Sequence, residues 1–322
     1  MSKITVTSTM DDILNLPEFS GFGQYLMLGA DVPRDMRLCE MGDHYPGWNG
    51  TAMAESARYL RDRVREGLKV DYDFGGEAGE TGFLYLPGEA DRPFVILCAG
   101  GGYESVCSLV EALPAAKRIN ELGFTAFILT YRVGETDLFP QPLEDLAKAV
   151  DYIIQHAAQF RVCKTDYAAA GFSAGGHLCG IWGTDMGCVR YQMPKPAALF
   201  LAYAPMDLST MTRNERDAAF LTRILGTEQT RERMDAYSVN CHVNEDYPPV
   251  YLWQCKDDPA VPFSNSLCLV KALDKYHIPY RFRPVEQGGH SLGAADGTQA
   301  EGWLDEAVDF WKEQWKQKGE NK

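Results

Sequence analysis

The pentapeptide Gly171-Phe172-Ser173-Ala174-Gly175 sets a serine between glycines at G-x-S-x-G spacing. Serine alone is a weak nucleophile. It needs exposure, a base within hydrogen-bond reach, and donors for the oxyanion that forms on attack. A sharp strand-to-helix turn supplies the exposure, and glycines two residues away on either side keep such a turn free of clashes. The context fits: Ala168-Ala169-Ala170 precedes the motif as a small apolar strand, and Gly175-Gly176-His177 opens a helix after it. The Ala174 amide then points at the oxyanion from a helix N-terminus. The alternative is a solvated serine in a glycine-lined turn, and the partner residues argue against it.

A second glycine cluster, Ala99-Gly100-Gly101-Gly102-Tyr103, follows the apolar run FVILC. Consecutive glycines let backbone N–H groups turn toward a ligand, at a high cost in chain entropy for a mere turn. The lysine and spacing of a P-loop are missing, and G-x-G-x-x-G does not occur.

Six histidines could supply the base. His156 and His277 fall at helix ends, and His177 lies one turn past Ser173, where a structural role is expected. His44 and His242 lie in segments with no assigned position. His290 sits in Glu286-Gln287-Gly288-Gly289-His290-Ser291, a glycine-rich loop after the last apolar strand, and is the candidate base. Asp258 follows the run VYLWQ and is the candidate acid that orients the imidazole, with Asp257 as its rival. The chain order Ser173, Asp258, His290 is one of the known triad orders.

These four motifs together, GFSAGGHL, AGGGY, DDPAVP and GGHSLG, resemble the acetyl-xylan-esterase-like or feruloyl-esterase-like (BD-FAE-type) branch of the α/β-hydrolases, over about residues 68–316. The resemblance implies a serine carboxylic-ester hydrolase acting on small acyl esters, among them acetylated carbohydrates, with no cofactor. Its D-x-x-V-P turn selects Asp258 over Asp257. It implies an oxyanion hole from the amides of Gly101, Gly102 and Ala174. One departure stands out. Relatives often carry His-Gly-Gly-Gly, and here Ala99 precedes Gly100, so the histidine that braces the loop is absent.

The elements that must hold these residues follow from hydropathy. LKVDYDF and GFLYLP read as a strand pair. PFVILCAG, TAFILTYR, AALFLAYAP and PVYLWQ read as buried strands, and YRFRPVE as the last one. Helices are predicted over Glu111 to Leu122, PLEDLAKAVDYIIQHA, the segment after Ser173, SLCLVKALDKYH and WLDEAVDFWKEQWK. Strands alternating with helices imply an α/β fold, a mostly parallel sheet with helices on both faces. Catalytic residues of such sheets gather at the carboxyl ends of the strands.

Two segments fall outside this alternation. Residues 1–66 form a helical or irregular extension to a catalytic domain over 67–322, with a helix from Thr51 to Arg65 and a loop over MGDHYPGWNG. Residues 208–246 read as a helical insertion that competes for the role of cap. Tyr45 and Trp48 in the loop, and Tyr103 after the glycines, are candidate substrate-binding rings, and for Tyr45 and Trp48 the alternative is that they pack the extension against the core or another subunit. The extension is expected to cover the mouth of the site, so that its removal changes KM more than stability.

The bulk numbers narrow the class. The 322 residues are 45% hydrophobic and 24% charged, with a formal charge of −14. That acidity argues against nucleic acid. No run reaches membrane-spanning length, and the N-terminus lacks the pattern of a secretory signal. Nine cysteines without a CxxC pair suit reduced thiols in the cytoplasm, and no HExxH or close Cys/His cluster suggests a metal. The small-molecule ester is the expected partner, and homo-oligomerisation stays open. An amidase or peptidase on the same residues, and a non-catalytic binding protein with this fold, are the competing readings.

Overall fold

The structure, a computed structural model, describes residues 3–26, 29, 31–73 and 81–320, with backbone alone for 316–320. Met27 and Leu28 of the predicted extension and Phe74 of the predicted strand LKVDYDF lie outside the described residues.

Among the described residues eight strands form one sheet: β1 (Asp71–Asp73), β2 (Gly82–Leu86), β3 (Phe94–Cys98), β4 (Thr125–Thr130), β5 (Ala168–Phe172), β6 (Ala198–Ala202), β7 (Val250–Cys255) and β8 (Tyr280–Val285). Their order is β1-β2-β4-β3-β5-β6-β7-β8. The β1–β2 and β2–β4 pairs are antiparallel and all others parallel. Strands β3 to β7 are the continuous apolar runs, and every residue in them is buried. Edge strand β8 is mostly half-exposed, as its arginines require.

Because β3, β5, β7 and β8 run parallel, the glycine loop, Ser173, Asp258 and His290 all emerge at the same edge of the sheet. Crossover helices Leu113–Glu121, Gln141–Gln155, Ser173–Trp182 and Ser264–Lys275 return the chain each time. The helix predicted from Glu111 starts differently. A wide π turn occupies Ser108–Ala112, and the α-helix runs from Leu113 to Glu121. Pro114 has no N–H for a regular i→i−4 bond and sits in the first α turn, where none is needed.

The segment 208–246 holds a short turn, Leu208–Thr210, and helices Glu215–Leu225 and Arg231–Tyr237 between β6 and β7. In the extension, the helix is Gly50–Arg65, started by Asn49, whose side chain accepts from the Thr51 and Ala52 amides. Part of the expected loop, Met41–His44, is a helical turn, so the loop shortens to residues 45–49.

The extension is built into the core, as the packing alternative has it. Ile13, Phe19, Leu38, Met41, Met53 and Leu60 are at most 1% exposed and belong to one continuous core with the sheet and its helices. Burial of each such side chain contributes about 1.5–3 kcal/mol, and domains are stable by only about 5–15 kcal/mol. Removing residues 1–66 is therefore expected to cost stability as well as to change KM. All nine cysteines are free thiols, five of them buried. Among the described residues no helix is long and apolar enough to cross a membrane.

Candidate active site

Small residues let the elbow form. A Cβ on Gly171 would lie 2.3 Å from the Gly175 carbonyl oxygen, and one on Gly175 would lie 2.1 Å from that of Cys98. The strand, the turn and the end of β3 thus meet backbone to backbone. At the apex Ser173 is held at φ +49°, a left-handed conformation that serine adopts only under constraint.

Ser173 Oγ lies 2.8 Å from His290 Nε2, and His290 Nδ1 lies 2.8 Å from Asp258 Oδ2. Asp258 Oδ1 accepts the amides of Ala260 and Val261, and Oδ2 also accepts Gln254 Nε2 at 3.2 Å. Every partner of Asp258 is a donor, so a carboxylate satisfies the set and the imidazole proton sits on Nδ1. Nε2 is then free to accept the Ser173 hydroxyl proton. His290 is 7% exposed and Asp258 8%, so the pair is shielded while Ser173 opens onto the cavity.

Asp257 does separate work. Its exposed carboxylate accepts the amides of Gly288 and Gly289 at 3.0 and 2.9 Å, tying down the loop that carries His290. On the far side, Gly47 of the extension presses on the same loop. A Cβ there would fall 2.1 Å from the His290 carbonyl oxygen.

The glycine loop has a brace that the sequence reading did not find. Glu111, 1% exposed, accepts the Gly100 amide on Oε2 at 2.5 Å and the Tyr203 hydroxyl on Oε1 at 3.0 Å. Burial pushes its carboxyl above the usual range, while the Gly100 amide, His290 and Tyr203 pull it back down. Tyr131 donates to the Ala99 carbonyl at 2.6 Å. These contacts hold the loop without a histidine before Gly100. The Gly100 amide is thus engaged, and Gly101, at φ +122°, and Gly102, at φ +64°, line the same cavity as Ser173. A signal for Glu111 was present: one charge inside the apolar run Val106–Ala116.

Tyr103 is a correction. It is fully buried, at φ +61°, and donates to His177 Nδ1 at 2.8 Å instead of lining the cavity. His177 Nε2 donates to the Tyr237 carbonyl at 2.8 Å. Burial lowers the His177 pKa to about 4, so this imidazole stays neutral and joins the elbow helix, the glycine loop and the 208–246 segment.

Ser173, His290, Gly101 and Gly102 line a cavity of about 620 Å³. Tyr45 and Trp48 wall it, stacked on each other at 4.5 Å and 22°. Met211, Arg216, Phe220 and Arg223 of the 208–246 segment wall it too, so the two candidate covers share the mouth. A larger cavity of about 710 Å³ adjoins it at Gly29, Glu104 and Ser105, but no residue of the Ser173–His290–Asp258 chain lines it.

The model of the BD-FAE family matches residues 84–273, from β2 to the helix after β7. The chain belongs to the BD-FAE family. Its fold is that of the α/β-hydrolases. Among curated proteins it is 29% identical over 256 residues, 75% of this chain, to endo-1,4-beta-xylanase B of Butyrivibrio fibrisolvens, of whose length it spans 40%. Among solved structures it is similar to an acetyl ester-xyloside bifunctional hydrolase from Caldicellulosiruptor lactoaceticus (25% identity, TM-score 0.64, 72% of this chain and 88% of that one). The carboxylesterase Cest-2923 of Lactobacillus plantarum is comparable (26% identity, TM-score 0.62, 73% and 92%).

Proposed function

We propose that this BD-FAE chain is a serine carboxylic-ester hydrolase that removes small acyl groups, acetyl foremost, from carbohydrate esters. The observation that carries this reading is the continuous hydrogen-bonded chain from Asp258 through His290 to Ser173, opening into a cavity beside Gly101 and Gly102.

In the proposed cycle Ser173 Oγ attacks the ester carbonyl carbon while His290 Nε2 takes its proton. Asp258 holds the imidazole tautomer and stabilises the imidazolium. The carbonyl oxygen becomes an anion held by the amides of Gly101, Gly102 and Ala174. Collapse breaks the bond to the alcohol oxygen, which leaves with the proton from His290. Water then attacks the acyl-enzyme, giving its proton to His290, and the acid departs as Ser173 Oγ regains a proton. The tryptophan–tyrosine pair at the mouth supports a sugar as the alcohol, since flat rings stack on sugar faces. The names of the structural neighbours, an acetyl ester-xyloside hydrolase and a carboxylesterase, point the same way. Nine free thiols fit a reducing compartment, and we place the protein in the cytoplasm on that ground.

The test is a fluorophosphonate probe together with a chromogenic acetate ester. The wild-type chain takes one equivalent of probe on Ser173 and hydrolyses the ester, and Ser173→Ala does neither. Retention of more than about a tenth of the wild-type rate in Ser173→Ala removes the assignment.

A further inference from the structure

Glu111 is a buried carboxyl to which the hydrolytic cycle gives no step. Its two oxygens reach two different parts of the site. Oε2 takes the Gly100 amide of the oxyanion loop, and Oε1 takes the hydroxyl of Tyr203. Tyr203 in turn accepts the Gly293 amide at 2.9 Å, three residues past His290, and lays its ring edge on the imidazole with centroids 4.8 Å apart. Tyr203 is itself held at φ +42° at the end of β6. Gly293 packs so close to the π turn that a Cβ would lie 2.7 Å from the Val110 carbonyl oxygen. Donors meet both carboxylate oxygens, so the ionised form suits this setting.

We propose, resting on the Ser173–His290–Asp258 reading, that Glu111 is a positioning residue that locks the oxyanion loop to the His290 loop through Tyr203 and places a carboxylate near the imidazolium formed in acyl transfer. The titratable groups that face it are Tyr203 after β6, His290 after β8, Cys107 from the glycine loop's exit and Tyr131 after β4. Asp258 acts on the same cluster through Tyr203. Of these, only His290 gains positive charge during the cycle.

Glu111→Gln keeps the shape but turns a donor toward either Gly100 N–H or the Tyr203 hydroxyl, and it removes the charge. The kcat on a chromogenic acetate should fall on the order of 10- to 100-fold with KM within about threefold. The acidic limb of the kcat/KM profile should move to lower pH, because a charge that favours the imidazolium is gone. Tyr203→Phe keeps the ring on His290 while removing both the link to Gly293 and one of the two donors to Glu111. It should lower kcat by about fivefold.

Wild-type kcat in a folded Glu111→Gln overturns the proposal. A kcat loss with an unmoved acidic limb overturns its charge component and leaves a structural brace. Should Glu111→Gln fail to fold by circular dichroism, Tyr203→Phe decides, and wild-type kcat there overturns the coupling. Ser173→Ala, run in parallel, separates the two levels. Turnover in that variant fails the triad reading itself, whereas a dead Ser173→Ala beside an unaffected Glu111→Gln fails this proposal alone.

Discussion

Around Ser173 the chain packs backbone against backbone, while at the mouth of the same cavity it presents side chains drawn from separate segments. The floor rests on Gly171, Gly175 and Gly100, where a single added carbon would come within 2.1–2.8 Å of a neighbour. The mouth rests on Tyr45 and Trp48 from the extension and on Met211, Phe220 and Arg223 from the β6–β7 crossover. A surface with no slack fixes the positions of reacting atoms, where errors near 1 Å cost rate. A surface of exchangeable side chains sets what binds, and can change while the chemistry stays put. Floor variants should therefore act on kcat, and mouth variants on KM.

The strongest way to break this division is at the floor. Ser173→Ala should lower kcat on the order of 10⁵-fold with an unchanged thermal midpoint, as measured by steady-state kinetics and calorimetry. A comparable loss from a mouth variant would erase the distinction. Next comes the aspartate pair. Asp258→Asn leaves the wrong imidazole tautomer facing Ser173 and should cost on the order of 10³- to 10⁴-fold in kcat. Asp257→Asn loses only charge-assisted bonds to Gly288 and Gly289, and should cost less than about tenfold. The reverse ranking would show that loop anchoring, not imidazole orientation, is the critical task.

Gly47 lies where the two regions meet, since it belongs to the mouth by sequence and to the floor by contact. Its φ of +100° and its closeness to the His290 carbonyl leave no room for a methyl group. Gly47→Ala should lower kcat on the order of 10-fold with little change in KM, read from Michaelis curves on a small acetate ester. If KM moves and kcat does not, the extension shapes the pocket without steadying His290.

The same division explains what could be read from the amino-acid order. Strands β3 to β7 were legible because buried parallel strands are uninterrupted apolar runs, as FVILC and TAFILT are, and β1 and β8 because apolar and polar residues alternate along LKVDYDF and YRFRPVE. The elbow, the glycine loop and the DDPAVP and GGHSLG turns were legible because backbone geometry restricts residue type: only glycine tolerates the contacts at Gly175, and local spacing exposes the pattern. Tyr103 was misread because a ring after a glycine loop gives no sign of which way it points. The φ of +61° turns it inward to His177. Glu111 and Tyr203 stand 92 residues apart, and their bond depends on β3 and β6 flanking β5, a topological fact that no local pattern carries. For residues 1–66 the amino-acid order left two readings open, packing against the core and covering the site, because a helix such as that over Thr51 to Arg65 shows that it buries a face but not against what.

The smallest expected effect is the most selective one. Trp48 stacks on Tyr45, and both are partly buried, packed against the core while lining the cavity. Ring stacking contributes about 0.5–1.5 kcal/mol, roughly a two- to tenfold change in affinity. Trp48→Ala should therefore raise KM for an acetylated xylo-oligosaccharide by about fivefold. Its KM on 4-nitrophenyl acetate should stay within about twofold, because that small ester need not reach the mouth. The kcat should be unchanged on both, since nothing at the floor contacts the indole through a fixed hydrogen bond. Equal shifts on the two esters would mean that the rings serve packing and not recognition. A kcat loss on both would mean that the mouth steadies the His290 loop through the neighbouring Gly47, and the division between chemistry and selectivity would then fail at this corner of the site.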